Sequence, residues 1–119
     1  MDHHCRPADL SPAVEQLELA IVAGEYRAGG KLPSVRELAA EAAVNPNTMQ
    51  RAMQELEARG LINTQRTAGR TITEDETMIQ ALRQQKAQEQ IAQFWAAMQK
   101  LGFTQAEALS LLKQTKENA

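Results

Sequence analysis

The sequence predicts a mainly α-helical fold that contains one small β-hairpin and ends in a pair of helices. Three observations indicate this fold class. Capping residues precede amphipathic stretches at Ser34, Asn45 and Thr104, and two β-capable segments flank a turn near Gly69. Only 3% of the residues are aromatic although 43% are apolar, which fits a largely helical protein. The 119 residues allow one core plus an appendage and exclude a large enzyme core.

The first helix is predicted to begin at Ser11 and Pro12, because proline is favourable in the first turn of a helix. Gly24 ends this helix, and two glycines at 29–30 form a turn before the next one. Residues 1–10 are expected to form a flexible N-terminus. The inward-facing residues recur at helical spacing and are Val14, Leu17, Ala20 and Ile21.

Two capped helices joined by a tight turn are predicted within residues 32–60. Ser34 and Glu37 have the spacing of a capping box, and Asn45 followed by Pro46 is typical of a helix start. The predicted buried stripes are Val35, Leu38, Ala39 and Ala42 in the first helix and Met49, Ala52, Met53 and Leu56 in the second. This pattern is that of a helix-turn-helix.

The other face of the second helix carries side chains that are suited to reading bases. Asn47, Gln50, Arg51 and Gln54 follow the same helical spacing. Asn and Gln pair bidentately with adenine and Arg with guanine, and each good pair contributes about 1–3 kcal/mol of discrimination. The alternative is an ordinary solvated helix face, since amides are common there. We predict base contacts for Asn47, Gln50 and Arg51.

A β-hairpin, or wing, is predicted after this helix from segments 61–65 and 70–73 about a turn at 67–69. The net charge of −2 does not by itself indicate DNA binding. A local basic surface is nevertheless sufficient, because basic residues fall on the proposed helix and wing edges. The predicted contacts to the DNA backbone or from the wing are Lys31, Ser34, Arg36, Asn45, Thr48, Arg66, Thr67, Gly69 and Arg70.

The segment from Val14 to Thr73 resembles the winged helix-turn-helix domain of GntR-family transcription regulators. The motifs that carry this resemblance are a glycine at Gly30, then LPS-x-R-x-LA, V-N-P-x-T and LE-x-x-G, in the order and spacing of the family. The resemblance implies a sequence-specific DNA-binding regulator. The V-N-P-N-T form and the short tail are most similar to the YtrA-type subfamily, whose members typically repress operons for membrane transporters.

The chain departs from the family pattern in four places. Ala43 replaces a glycine in the turn between the two helices, where a left-handed conformation would cost a residue with a Cβ about 1 kcal/mol or more. Met53 stands where many relatives have tyrosine. Thr67 replaces an expected glycine and Thr71 an aromatic residue. Two of these four departures lie in the short wing.

The C-terminal third is predicted to form a helical hairpin. Acidic residues at 74–76 favour a helix N-terminus, and this long helix is expected to run to Leu101 before Gly102 ends it. Thr104 and Glu107 then form a capping box for the last helix. Three residues at the start of the long helix are predicted to dock on the winged domain: Met78, Ile79 and Leu82. A second apolar stripe follows on the same helix and consists of Ile91, Phe94, Trp95, Met98 and Leu101. The apolar residues of the last helix are Ala108, Leu109, Leu111 and Leu112.

Residues 11–73 are thus predicted to form the winged domain and residues 74–119 a helical dimerisation domain. Two helices bury too little surface alone, so pairing with a second copy is the simplest account. A symmetric homodimer would set its recognition helices about 34–36 Å apart on a near-palindromic operator. The alternative is a tail that folds back on its own winged domain. The predicted interface consists of Ile91, Phe94, Trp95, Met98, Leu101, Phe103, Leu109 and Leu112.

The remaining expectations concern ligands, compartment and chemistry. No cofactor or metal is expected, since His3, His4 and Cys5 are adjacent and lack partners elsewhere. No grouping of a nucleophile with a base indicates an enzyme. Two helices cannot enclose a metabolite pocket, so any small-molecule effector is expected between subunits of the dimer.

The chain lacks a membrane span or secretory signal, which predicts a cytoplasmic protein. A winged domain that binds another protein instead of double-stranded DNA is the alternative function.

Overall fold

The computed structural model describes residues 11–67 and 69–118, and it contains five helices and two strands within these ranges. The first three helices are α1 (Ser11–Val22), α2 (Val35–Ala42) and α3 (Pro46–Ala58). Strands β1 (Ile62–Gln65) and β2 (Gly69–Ile72) follow, and then α4 (Glu76–Lys100) and α5 (Gln105–Asn118). The predicted fold class is confirmed. The cluster of His3, His4 and Cys5 and the expected flexible N-terminus lie outside the described residues.

The helix starts in the helix-turn-helix are those that the sequence predicts. The Ser34 side chain accepts a hydrogen bond from the Glu37 N–H, and the Glu37 carboxylate accepts one from the Ser34 N–H. Asn45 caps α3 by accepting from the Asn47 N–H at 2.7 Å. These side chains satisfy amides that a helix N-terminus otherwise leaves unpaired. Ala43 in the intervening turn has a φ of 58°, so the left-handed conformation expected there is present.

The core of the winged domain joins α1, α3 and both strands. Its largest fully buried side chains are Leu17, Met49, Met53, Leu56, Ile62 and Ile72. The stripe of α3 is confirmed, whereas that of α1 differs: Ala13 and Glu18 are buried, and Val14 and Ala20 are only partly so. Glu18 tolerates burial because Arg59, after the end of α3, donates a hydrogen bond to its carboxylate at 2.8 Å.

The two strands pair antiparallel, with Ile62 opposite Ile72 and Gln65 opposite Gly69. A further bridge joins Lys31 to Thr71 on the other edge of β2, with the Leu32 N–H donating to the Arg70 carbonyl at 2.9 Å. No local pattern in the sequence predicts this bridge. It ties the wing to the segment that enters α2, so these two parts of the domain are held in register.

The described chain divides into two compact units, one ending at Leu82 and one beginning at Arg83. The first unit includes the start of α4, where Asp75 accepts hydrogen bonds from the Thr77 and Met78 N–H groups. The docking predicted for this part of α4 is confirmed, because Leu82 is buried and Met78 and Ile79 pack against the core. Whether the functional domains divide at residue 74 stays a prediction.

The second unit consists of the rest of α4 and α5. Helix α4 ends one residue earlier than predicted, at Lys100, and Gly102 follows with a φ of 93°. The Phe103 N–H bonds the Met98 carbonyl and the Gly102 N–H bonds the Gln99 carbonyl, which is the pattern of a glycine-terminated helix. The predicted capping box of Thr104 and Glu107 starts α5.

Candidate nucleic-acid interface

Helix α3 presents the three predicted base-reading residues away from the core. Met49, Ala52 and Leu56 on its inner face each have 0% exposure. Asn47 and Arg51 lie on the opposite face and are exposed, while Gln50 is half-buried at its edge. Because the inner face is packed so tightly, α3 offers its opposite face to DNA, and that face carries amide and guanidinium donors.

The predicted backbone contacts at the helix starts already have structural roles. Ser34 and Asn45 each use a side-chain oxygen to cap a helix. The Ser34 hydroxyl proton and the Asn45 amide hydrogens remain donors for a phosphate oxygen. Arg36 is exposed on the first turn of α2, whereas Thr48 on α3 is half-buried. Helix N-termini favour anions, so this side of the domain suits a DNA backbone.

A groove of about 770 Å³ lies between the start of α2 and β2. Four predicted contacts line it together: Lys31, Ser34, Gly69 and Arg70. Arg70 is half-buried, and its Nε is a buried atom that has no hydrogen-bond partner among the described residues. An unpaired buried donor is costly, and a phosphate oxygen in the groove would satisfy it once the Arg70 side chain turned toward it. The carboxylate of Glu37 also faces this groove, but it is engaged by the Ser34 N–H.

The exposed turn of the wing holds the remaining predicted contacts. Arg66 and Thr67 follow β1 and are exposed, and Gly69 starts β2 with a φ of 75° that glycine adopts at low cost. Ala68, in the middle of the predicted turn, lies outside the described residues.

Four exposed cationic side chains belong to the proposed interface. Lys31, Arg36, Arg51 and Arg66 are all exposed. Two acidic groups of the same domain are engaged elsewhere, since Glu18 pairs with Arg59 and Glu57 accepts a hydrogen bond from Thr64. A locally positive surface is what attraction to phosphates needs, even on a chain with net negative charge.

The second unit has a different kind of surface, which is apolar. Leu101 is 71% exposed and Ile91 52%, and the rings of Phe94 and Trp95 lie 5.1 Å apart. Among the predicted interface residues, Phe94, Trp95 and Met98 are half-buried, and Ile91, Leu101, Phe103, Leu109 and Leu112 are exposed. Leu111, which was not in the predicted interface, is also 39% exposed. Exposed apolar side chains of this size are available for contact with another protein surface.

A membrane-spanning helix or a metal site would indicate other classes of protein. Within residues 11–67 and 69–118, no helix combines the length and apolar character needed to cross a membrane. The same residues contain no group of three or more His, Cys, Asp or Glu side chains placed to hold a metal ion.

The fold and the polar face of α3 define a winged helix-turn-helix protein of the DNA-binding class. The chain matches the model of the bacterial regulatory proteins of the gntR family over residues 11–72. The chain therefore belongs to the GntR family, is of the YtrA type, and is a DNA-binding transcription regulator.

Individual relatives agree with this assignment. The uncharacterized HTH-type transcriptional regulator YhcF of Bacillus subtilis (strain 168) is 37% identical over 99 residues, which are 83% of this chain and 82% of YhcF. The HTH-type transcriptional repressor YtrA of the same organism is 44% identical over 62 residues, 52% of this chain and 48% of YtrA. The structure of a GntR family transcriptional regulator from Listeria monocytogenes aligns with a TM-score of 0.78 at 38% identity, covering 96% of this chain and 97% of that one.

Proposed function

We propose that this chain acts as a homodimeric repressor that binds a near-palindromic operator. The observation that carries the proposal is the single free face of α3, on which Asn47, Gln50 and Arg51 lie opposite a fully buried stripe. These three side chains would contact base edges. Repression is supported by the relative YtrA, which is named a transcriptional repressor. A transporter operon is the target class that the YtrA-type resemblance implies, and the chain would act in the cytoplasm, where bacterial chromosomal DNA lies.

Contacts to phosphates would hold α3, the recognition helix, in place. Lys31, Ser34, Gly69 and Arg70 share the large groove beside α2, and the unpaired Arg70 Nε supports a phosphate in it. Arg36, Asn45 and Thr48 would extend this contact along α2 and α3, and Arg66 and Thr67 would extend it along the wing. These contacts would set orientation, while the base contacts would set sequence preference.

Dimerisation would occur through the second unit, residues 83–119. Its apolar side chains are exposed to an extent that a monomer in water rarely tolerates, including Leu101 at 71%. Any effector bound between subunits would use the cleft of about 140 Å³ beside Trp95 and Phe103. Because small-molecule sites usually have about 300–1,000 Å³, both copies would have to contribute to such a site.

The test is selection of bound sequences from a random duplex pool at about 0.15 M salt, with protein of known oligomeric mass. We expect an inverted repeat with half-sites about one helical turn apart. The triple variant Asn47→Ala, Gln50→Ala, Arg51→Ala should keep its mass and lose this motif. Absence of any motif from a folded dimer would contradict the proposal. A reporter driven by a promoter that contains the recovered operator should then lose expression when the chain is present, and a gain would contradict repression.

A further inference from the structure

A second groove lies in the winged domain, between α1, α2 and the start of α3, and it shares no lining residue with the groove beside the wing. Its volume is about 280 Å³, near the lower end of the range for small-molecule sites. Three core side chains form its floor: Leu17, Leu38 and Met49, with exposures of 2%, 4% and 0%. The groove therefore reaches the packing that supports both helices of the helix-turn-helix.

The rim of this groove is acidic. Glu25 and Glu41 line it, both are exposed, and neither forms an ion pair with another described residue. Tyr26 also lines it and is half-buried. The pKa of the Tyr26 hydroxyl is raised by burial and by the negative charges of Glu41, Glu25 and Glu37. A cation at this rim would meet two free carboxylates and a region of negative potential.

The wall of the groove is apolar. Leu19 on α1 lines it and remains 47% exposed, although it is a large hydrophobic residue in a domain with a closed core. The Tyr26 ring packs against that core and stands beside the carboxylates. An aromatic ring together with carboxylates attracts ammonium and guanidinium groups, and the leucine offers contact to an apolar body.

We propose that this groove is an effector site for a small organic cation, in which an ammonium or guanidinium group is attached to an apolar body. The groove favours a small molecule over a protein segment, because each partner in a stable protein interface buries about 800 Å². The cation would lie against Glu25, Glu41 and Tyr26, and the apolar body against Leu19 and Ala20, above the buried floor. The site belongs to one winged domain and does not require the dimer interface.

Binding at this site would alter DNA affinity, and this part of the inference rests on the proposed function. Met49 is on α3 between the base-reading residues Asn47 and Gln50, and Leu38 is on α2. A ligand body seated over these two buried side chains would change how α2 and α3 pack, since interiors are close-packed and transmit small displacements. The expected change in operator affinity is about 5- to 150-fold.

The binding test uses three probes that share one body and differ in charge: phenethylamine, 2-phenylethanol and 3-phenylpropionate. The full chain has five methionines, so methyl-labelled methionine NMR gives one signal at Met49 in the groove and one at Met98 in the second unit. We expect phenethylamine to shift the Met49 signal saturably, to bind more tightly than the other two probes, and to leave Met98 unchanged.

Charge-removing variants complete the test. Glu25→Gln with Glu41→Gln should weaken phenethylamine binding by about tenfold, as expected for the loss of two partly exposed charge pairs. Glu15→Gln, on an exposed position of α1 outside the groove, should leave it unchanged. Equal binding of all three probes, no shift at Met49, or no effect of the double variant would overturn the site. Binding only of an amphipathic lysine-leucine peptide would also overturn it, in favour of a protein partner.

The regulatory role has its own readout, which is operator affinity with and without saturating phenethylamine. The effector role is supported if phenethylamine changes the operator affinity of the wild-type chain but not that of the Glu25→Gln, Glu41→Gln variant. Unchanged affinity at full occupancy would overturn the effector role. Failure of the free chain to bind any operator would instead count against the proposed function, because the Met49 signal reports ligand binding without DNA.

Discussion

The winged domain and the second unit differ in how they bury apolar side chains. In the winged domain, helices and strands close over a shared core, so that Met49, Leu56 and Ile72 have 0% exposure. From Arg83 onward, Ala108 is the only buried hydrophobic residue among those that the structure describes. Larger side chains of the same unit, such as Ile91 and Leu101, remain exposed by 52% and 71%.

We infer from this difference that the winged domain provides the stability of the fold and that the second unit provides the surface for association. Burial of apolar surface contributes about 25 cal/mol per Å², so the winged domain gains its stability within one chain. Two helices whose apolar residues face water gain little until another surface covers them. We therefore expect core substitutions to act on unfolding and substitutions in the second unit to act on assembly.

The largest effect should come from Leu56→Ala in the core of the winged domain. Removing a fully buried leucine side chain costs about 2–5 kcal/mol, because it loses apolar burial and leaves a cavity. Urea unfolding followed by circular dichroism measures the change. Leu19→Ala is the matched control, since Leu19 is 47% exposed and should cost about 1 kcal/mol or less. Equal losses from the two substitutions would mean that the core is not where the stability lies.

Charges placed in the second unit should separate the chains without unfolding the winged domain. Ile91→Asp with Leu101→Asp should weaken the dimer at least about 100-fold, because an unpaired charge buried at an interface costs several kcal/mol. Sedimentation velocity measures the mass directly. Gln84→Asp with Gln88→Asp adds the same charge to an exposed polar part of α4 and should leave the dimer intact. A double variant that retains the mass of two chains would contradict the proposed interface.

Substitutions on the interface of the winged domain should change DNA binding and leave the mass unchanged. Arg51→Ala should lose about 1–3 kcal/mol of preference at one base-pair position. Arg36→Ala should weaken binding to all sequences and lower the salt dependence by about one phosphate contact. Binding titrations over a series of salt concentrations and single-base operator variants distinguish the two. Identical sequence preference in wild type and Arg51→Ala would remove the base-reading role of this residue.

The smallest effect should be a gain in stability from Ala43→Gly. Ala43 occupies a left-handed conformation with a φ of 58°, which glycine adopts without the steric cost of a Cβ. We expect a stabilisation of about 0.5–1 kcal/mol, since the greater flexibility of unfolded glycine offsets part of the gain. Ala40→Gly, on the exposed side of α2, should instead destabilise by about 1 kcal/mol. Thermal unfolding of the two variants measures both changes. A loss of stability in both variants would show that Ala43 is not strained in this turn.

Much of the helix-turn-helix could be predicted because its signals are local. A capping box depends on residues three positions apart, as at Ser34 and Glu37, and the stripe of α3 depends on a helical repeat. The face that carries Asn47 and Arg51 follows from that repeat, so the candidate base contacts could also be named. Local signals could not predict that Lys31 bridges Thr71. The pairing of a third segment with the wing depends on how parts of the chain that are distant in sequence meet.

The sequence by itself therefore determined the positions of the helix starts, the buried stripe of α3 and the β-hairpin, because these depend on neighbouring residues and on periodicity. Only the tertiary structure decided that Glu18 is buried against Arg59 and that Glu25, Tyr26 and Glu41 meet over Met49. It also decided that the Arg70 Nε is buried with no hydrogen-bond partner among the described residues. Such groupings join residues that are far apart in the chain. Their burial and charge environment exist only once the helices have packed.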